Sequence, residues 1–562
     1  MPSSLTPRQT VLLIVLVAAT LPYFWGLGDS SLWDANEAFY AETPREMLAS
    51  RDFVNPRFNF QPRFNKPVLP YWTVAAIYRV AGVSERAERM PIAIGALVLV
   101  LTTCGLGYLV RSPDAGLLAG IVLATTPRFL MFARRIIIDV HLAMFAALTL
   151  LCFVLVELYP ARRRLYLPAM YVAAGLGTLT KGPVAVLLPG LVFFLHLAFE
   201  RRLGDIRHMM LPTGALIGLA VVLPWYVLVY LQNGWTYIQS FVVGENLLRY
   251  AQTIGVQSRG MFFYLPVMLG DLFPWSVFLP VVLVAALGRR PLVVPPNGTA
   301  TQRAIVRLLA LWIAVIVVFF SFSRTKQDLY ILPIVPAEAA LIGALIAAGL
   351  DEAASPAAVR LLRWLTMAAG LMVAVTGLVL LVSVVIPGTY PLRGMAAVSA
   401  LAIVGGILAG GISATKRAFA AVIILAVTFT AISSCFVSIT LPDFERYKPV
   451  RPLATVIQAH ASERAVIGYY KFAFPSMVFY LRRPVLELFD LDELKKAFSS
   501  DADVFFLITA DDYEAVKEEL PTQTYVLDRR LLFDVRLGNF LEGTALPEVL
   551  LISNRPAVRA SR

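Results

Sequence analysis

Charge is scarce in this chain. Only 15% of its 562 residues are Asp, Glu, Lys or Arg, against roughly 25% in a soluble domain. That shortage argues against a water-solvated surface over most of the chain. Cysteine is rarer still. Cys104, Cys152 and Cys435 all lie in or beside apolar runs, where they read as small packing residues rather than disulfide partners or metal ligands. The N-terminal stretch lacks a convincing small-residue cleavage site, so it reads as a retained first span, although a signal anchor looks alike. No internal repeat is visible.

What the chain has instead is apolar length. Hydrophobic residues make up 58% and the mean hydropathy is +0.72. They fall in runs of about 20, the length that crosses a bilayer core of ~30 Å. Thirteen such runs are read at about 9–27, 90–110, 115–132, 140–158, 165–179, 183–199, 210–231, 262–287, 304–322, 329–349, 364–386, 394–412 and 418–440. They predict a polytopic α-helical membrane protein of about 13 spans.

The net charge is +12, but position matters more than sign. Arg8, Arg111, the run Arg162-Arg163-Arg164, Arg201, Arg202, Arg207, Arg289, Arg290, Arg360, Arg363, Lys416 and Arg417 fall in alternate loops. Basic loops stay cytoplasmic. An odd number of spans then puts the C-terminal segment outside. That segment, 441–562, alternates short strand-like runs (AVIGYY, PVLEL, DVFFLIT, TYVLD) with amphipathic stretches (LDELKKAFSS, DDYEAVKEEL). It predicts a small α/β domain on the outer, periplasmic side of a 1–440 membrane domain.

The outward segments carry charges that run against the cytoplasmic bias. A long insert at 29–89 contains TPREMLAS and PVLPYWTVAAIYRV, which predict short helices along the membrane surface. With the later outward loops it brings Arg57, Arg63, Lys66, Arg134, Arg135, Lys181, Arg249, Arg259, Arg324 and Lys326 to one face. Ionisable groups near membrane depth mark a pathway or site. A shared anionic ligand explains the set, and at a membrane surface the available anion is a lipid phosphate. The plainer reading of any one cation is contact with phospholipid headgroups, or snorkelling from a helix end. Asp34, Glu37 and Asp139 lie on the same side. A carboxylate there is poised as a base for an acceptor hydroxyl. Its competitor at Asp139 is a helix cap, and at Asp34 a cap or surface salt bridge.

Several short motifs then fall in order. They are Trp33-Asp34 with Glu37 and Tyr40-Ala41, Lys66-Pro67 with Tyr71-Trp72, and Arg134-Arg135 with Asp139. Next come Thr180-Lys181-Gly182-Pro183, Pro224-Trp225-Tyr226, Glu245-Asn246-Leu247 with Arg249-Tyr250, Pro274-Trp275, and Phe320-Ser321-Phe322-Ser323 with Lys326, Tyr330 and Leu332-Pro333. In these the chain resembles the GT-C glycosyltransferases that use lipid-linked sugars. The nearest likeness is to bacterial aminoarabinose transferases acting on lipid A, and a more distant one is to protein O-mannosyltransferases.

The resemblance implies Asp34 as the leading catalytic carboxylate, with Asp139 across the cavity. It implies Lys66, Arg249 and Tyr330 as holders of the carrier phosphate. Glu37, Arg134, Lys181, Glu245, Arg324 and Lys326 become secondary phosphate or structural contacts. It implies an enzyme of the bacterial inner membrane, with its active site facing the periplasm. The donor is an undecaprenyl-phosphate sugar. The acceptor is lipid A, another envelope glycolipid or a protein, and nucleic acid is not a partner.

Asn65 and Asn246 depart from the family pattern at the positions of its metal site. Neutral amides are poor zinc ligands, so no zinc and no other cofactor is expected. The rival class is a lipid or sugar transporter or flippase, which would show broken helices and paired repeats. Neither is legible in the sequence.

Overall fold

The computed structural model describes residues 5–34, 36–248, 250, 259–288, 293–295, 297–385, 392–533 and 546–556. Each of the thirteen apolar segments overlaps a helix. Among the described residues, eight helices are long and apolar enough to cross a membrane, and ten if two bent pairs each count as one span. Pro7–Tyr23 and Val184–Phe199 are shorter apolar helices.

The bundle sorts its helices by burial. The central window of Asp328–Leu350 is entirely buried, whereas little of Leu211–Asn233 is. Both are apolar all round. The first is therefore a core element. The second presents Leu216, Leu219 and Leu231 outward, as a lipid-facing surface requires. Close approach at the core depends on glycine. A Cβ on Gly343 would stand 2.5 Å from the Ala119 backbone nitrogen, so Val335–Leu350 could not pack on α5 (Pro113–Ala124) with a larger residue there.

Two helices are broken where the sequence reads continuous spans. Pro113–Ala124 and Pro127–Ala133 (α6) meet at 75°, and Met261–Asp271 and Trp275–Ala286 at 117°. Pro127 and Pro274 sit at the breaks, where the missing N–H and the clash with the preceding turn prevent continuation. Hydropathy stays high across both, which hides them from a run-length reading. Arg128 joins the two breaks. It pairs with Asp271 at 2.6 Å and also with Asp328.

The insert after α1 (Pro7–Thr20) holds the two expected surface helices, α2 (Asn36–Ser50) and α3 (Leu69–Ala81). Between them a two-residue turn, Asn59-Phe60, links β1 (Arg57–Phe58) to β2 (Gln61–Pro62). Both turn residues have positive φ, 55° and 63°, as a tight hairpin needs. Asn59 then exchanges two hydrogen bonds with the Val485 backbone, at 2.8 and 3.0 Å. That turn docks the insert on the C-terminal unit.

The C-terminal unit is a five-stranded sheet of order β4-β3-β5-β7-β6. Its strands are β3 (Val466–Tyr470), β4 (Leu486–Leu488), β5 (Val504–Thr509), β6 (Tyr525–Leu531) and β7 (Glu548–Ser553). The β3–β4 and β3–β5 pairs are parallel, while β7 pairs antiparallel with β5 and β6. Val450–His460 and Ser476–Leu481 cover one face, and Leu491–Phe498 and Ala510–Val516 the other. Four strands match the sequence expectation. β7 was not among them.

Candidate functional site

Charged side chains gather in two neighbourhoods beside the insert. The first surrounds Tyr40 of α2 and Tyr71 of α3, whose rings stack 5.4 Å apart. Arg63, Asp139 and Glu245 all lie close enough to act on the Tyr40 hydroxyl. Lys66 donates to Glu245 Oε2 at 2.7 Å. Lys181 pairs with Asp139 and lies 5.1 Å from the Tyr330 ring centroid. Arg63 stands 3.7 Å from the Phe39 ring centroid. This cluster thus brings three cations, Arg63, Lys66 and Lys181, against two carboxylates, Asp139 and Glu245. Phe64, Trp225, Tyr226 and Phe241 pack around the Tyr237 ring beside it.

Local folding explains how these groups are aimed. Asp139 sits in the first turn of α7 (Ile138–Leu158), but the cap position is Ile137 and no side chain caps the helix. The cap reading of Asp139 therefore gives way to the pair with Lys181. Lys181 ends α8 (Arg163–Lys181), and Gly182 at φ 102° turns the chain away. A residue with a Cβ would be strained there.

The second neighbourhood surrounds Asp34. Its Oδ1 accepts from the Ser476 N–H at 2.7 Å and its Oδ2 from the Ser476 Oγ–H at 2.8 Å. Burial pushes the Asp34 carboxyl up to about 6, and Glu37 adds to that. The Ser476 hydrogen bonds and Lys448 oppose it. Glu37 lies below, buried and gripped by two nitrogens of Arg89 at 2.8 and 2.9 Å. Burial opposes ionisation of Glu37, but Arg89, Arg135 and Lys448 outweigh it and hold its carboxyl below the ordinary range. Arg135 lies 4.5 Å and Lys448 3.9 Å from the Trp33 ring centroid. Burial pulls the Lys448 ammonium down to about 8, against Glu445 and Glu37.

The remaining predicted residues take plainer places. Arg134 donates to the carbonyls of Pro22, Trp25 and Gly26, satisfying the open end of the first helix. Lys326 is buried and donates to the Ser323 carbonyl at 2.6 Å. Arg324 is exposed, and its backbone N–H bonds to the Tyr250 carbonyl. Arg249 and the Asn246 side chain lie outside the described residues. Ser476, Lys448 and Tyr237 escaped the sequence reading. Only the aromatic content around Pro224-Trp225-Tyr226 hinted at Tyr237.

Glu245 is the sole carboxylate among Asn65, Glu245 and Asn246, and its Oε2 already accepts from an ammonium. Among the described residues no three His, Cys, Asp or Glu side chains cluster as metal ligands.

With this geometry in view, comparisons with known proteins are specific. The model of the dolichyl-phosphate-mannose-protein mannosyltransferase family matches residues 65–228, a stretch that holds Lys66, Asp139 and Lys181. An undecaprenyl phosphate-alpha-4-amino-4-deoxy-L-arabinose arabinosyl transferase of Pseudomonas aeruginosa is 32% identical over 348 residues, covering 60% of this chain and 59% of the relative. A homologous transferase of Pectobacterium carotovorum is 26% identical, covering 69% and 68%. The chain spans less than two thirds of the Pseudomonas relative and of an uncharacterised protein from Aquifex aeolicus (62%).

In fold, the chain matches the crystal structure of ArnT from Cupriavidus metallidurans bound to undecaprenyl phosphate. The TM-score is 0.78 at 22% identity, over 98% of this chain and 99% of that one. The archaeal oligosaccharyltransferase AglB from Archaeoglobus fulgidus, solved with an inhibitory peptide and a dolichol-phosphate, gives 0.52 at 13% identity, over 91% and 70%. By sequence and by fold the chain resembles GT-C glycosyltransferases of the aminoarabinose-transferase and protein-mannosyltransferase kind.

Proposed function

We propose that this chain is a glycosyltransferase that moves one sugar from an undecaprenyl-phosphate carrier to an acceptor at the periplasmic face of a bacterial inner membrane. The observation that carries the reading is the cluster of charged side chains around Tyr40 and Tyr71. Lys66, Lys181 and Arg63 converge there with two carboxylates. The carrier phosphate, a diester monoanion in the donor and a monoester once the sugar has left, suits that excess of positive charge.

The placement rests on the thirteen spans expected from the sequence with basic loops inside, an odd count that would set the insert, the charged cluster and the C-terminal unit outside. In the reaction the bond between the sugar C1 and the carrier phosphate oxygen breaks. A bond from C1 to the acceptor oxygen forms, and undecaprenyl phosphate leaves with the electron pair. Charge grows on that phosphate as the bond breaks, so fixed cations stabilise the transition state more than the ground state. Lys66, Arg249 and Tyr330 hold the phosphate, with Lys181 beside Tyr330. In this proposal the acceptor reaches from the first neighbourhood to Asp34 in the second, where Asp34 takes the proton of a hydroxyl acceptor, or steadies oxocarbenium-like charge when the acceptor is an already ionised phosphate. Asp139 holds Lys181 and lines the acceptor side. The acceptor is lipid A or another envelope glycolipid.

Protein O-glycosylation is the second reading within this class, favoured by the family model that matches residues 65–228. A transporter also has broken helices, and two helix pairs are bent at a break among the described residues. One assay separates these readings. Purified protein in detergent, where no gradient exists, is given undecaprenyl-phosphate-linked 4-amino-4-deoxy-L-arabinose with lipid A or with an acceptor protein. Release of undecaprenyl phosphate that depends on acceptor, and that falls in Lys66→Ala and Asp34→Asn, supports the enzyme. No release, or wild-type rates in both variants, overturns it.

A further inference from the structure

The segment carrying Asp34 is clasped by residues that follow the last membrane helix. The Ser31 N–H donates to both oxygens of Glu445 at 3.0 Å. Lys448 donates to the Ser31 carbonyl at 2.7 Å and covers the Trp33 ring. The Leu32 N–H donates to the Tyr480 hydroxyl at 2.8 Å. Ser476, fully buried at the start of Ser476–Leu481, completes the clasp through both oxygens of Asp34.

A grip at both oxygens fixes the plane of the carboxylate as well as its position. Each carboxylate oxygen has two lone-pair sites. Asp34 therefore keeps acceptor capacity for a substrate while Ser476 holds it.

Building on the function proposed above, we propose that Ser476 is a positioning residue for Asp34, so that the C-terminal unit completes the active site. Hydrogen bonds to a carboxylate favour its ionised form. The other groups facing Asp34 are Lys448, which acts in the same sense, Glu37, which acts against it, and Tyr469 of β3 nearby. Loss of the Ser476 hydroxyl leaves the amide donor in place and removes one of the two bonds.

The test reads Asp34 in the full chain without relying on activity. In detergent, the melting difference between the wild type and Asp34→Asn is followed against pH, and its midpoint reports the ionisation of Asp34. The same pair is compared in a Ser476→Ala background. The midpoint is expected to rise by about half to one pH unit on losing the hydroxyl bond, and to return in Ser476→Thr. The acidic limb of kcat/KM with undecaprenyl-phosphate-linked aminoarabinose moves the same way. A shifted midpoint without any sugar transfer overturns the glycosyltransferase reading but not the coupling. Transfer with an unshifted midpoint overturns the coupling and leaves the enzyme intact. A uniform loss of rate at every pH in Ser476→Ala marks a merely structural serine and also overturns it.

Discussion

Glu245 holds the Lys66 ammonium at 2.7 Å across 179 residues of sequence. A donor phosphate that binds Lys66 must compete with that carboxylate. The two partners should therefore respond oppositely to neutralisation. Lys66→Ala removes a charge-assisted hydrogen bond worth about 1.5–3 kcal/mol, so undecaprenyl phosphate binding should weaken by roughly 10- to 100-fold. Glu245→Gln should tighten it several-fold, because the competing charge is gone and the amide still fills the space. Native mass spectrometry with undecaprenyl phosphate reads both. Weakening in both variants would mean that Glu245 orients Lys66 rather than competing for it.

Asp139 and Lys181 form the second pair of the cluster, and their contact predicts non-additivity. If each acts through the other, the single variants Asp139→Asn and Lys181→Met should each lose transfer by on the order of 10²-fold. The double variant should lose little more than the worse single one, since coupled residues share one interaction. Additive losses in kcat/KM would assign them separate tasks.

The raised ionisation of Asp34 gives two opposite pH dependences. Its carboxyl ionises near 3.8 when unfolded and at about 6 in the fold. The folded state holds the proton more tightly. The stability this contributes is therefore complete below pH 4 and is lost as pH rises through 6. Activity runs the other way, because both roles considered for Asp34 need the ionised form. kcat/KM should rise through about pH 6 and level above it. Asp34→Asn should lower the plateau by roughly 10²–10⁴-fold and remove that limb. A wild-type profile flat from pH 5 to 8 would remove Asp34 from the chemistry.

How much was legible follows from the range of each signal. Apolar helices were readable because a bilayer imposes an apolar run of fixed length. The breaks at Pro127 and Pro274 were not, because a run of hydropathy has no direction. In the C-terminal unit, β3, β5 and β6 announced themselves by β-branched and aromatic residues between turn signals. β7 did not, although its apolar run at 549–552 is as continuous as that of β5. Lys66, Asp139 and Lys181 were recoverable as charges out of place. Ser476 was not, because its meaning lies entirely in a contact with a residue 442 positions earlier. Arg134 was read as a phosphate or structural contact, and it meets carbonyls left open at the end of a helix, which attract an outward arginine as an anion would.

Glu37 and Arg89 carry the last prediction, because they separate support from chemistry. The pair is buried, with Glu37 also accepting from the Trp33 N–H at 2.7 Å, and Arg89 donating to the carbonyls of Leu27, Ser30 and Ser31. These bonds fix the backbone just before Asp34. Removing one member strands a buried charge, at a cost of about 3–5 kcal/mol. Arg89→Met and Glu37→Gln should therefore lower the melting temperature by several degrees or more, with Arg89→Met the worse because it also abandons three carbonyls. Protein that survives purification should keep the acidic limb of its pH profile, since Ser476 and Lys448 still face Asp34. A stable Glu37→Gln protein with its plateau rate lost would instead move Glu37 from scaffold to catalyst.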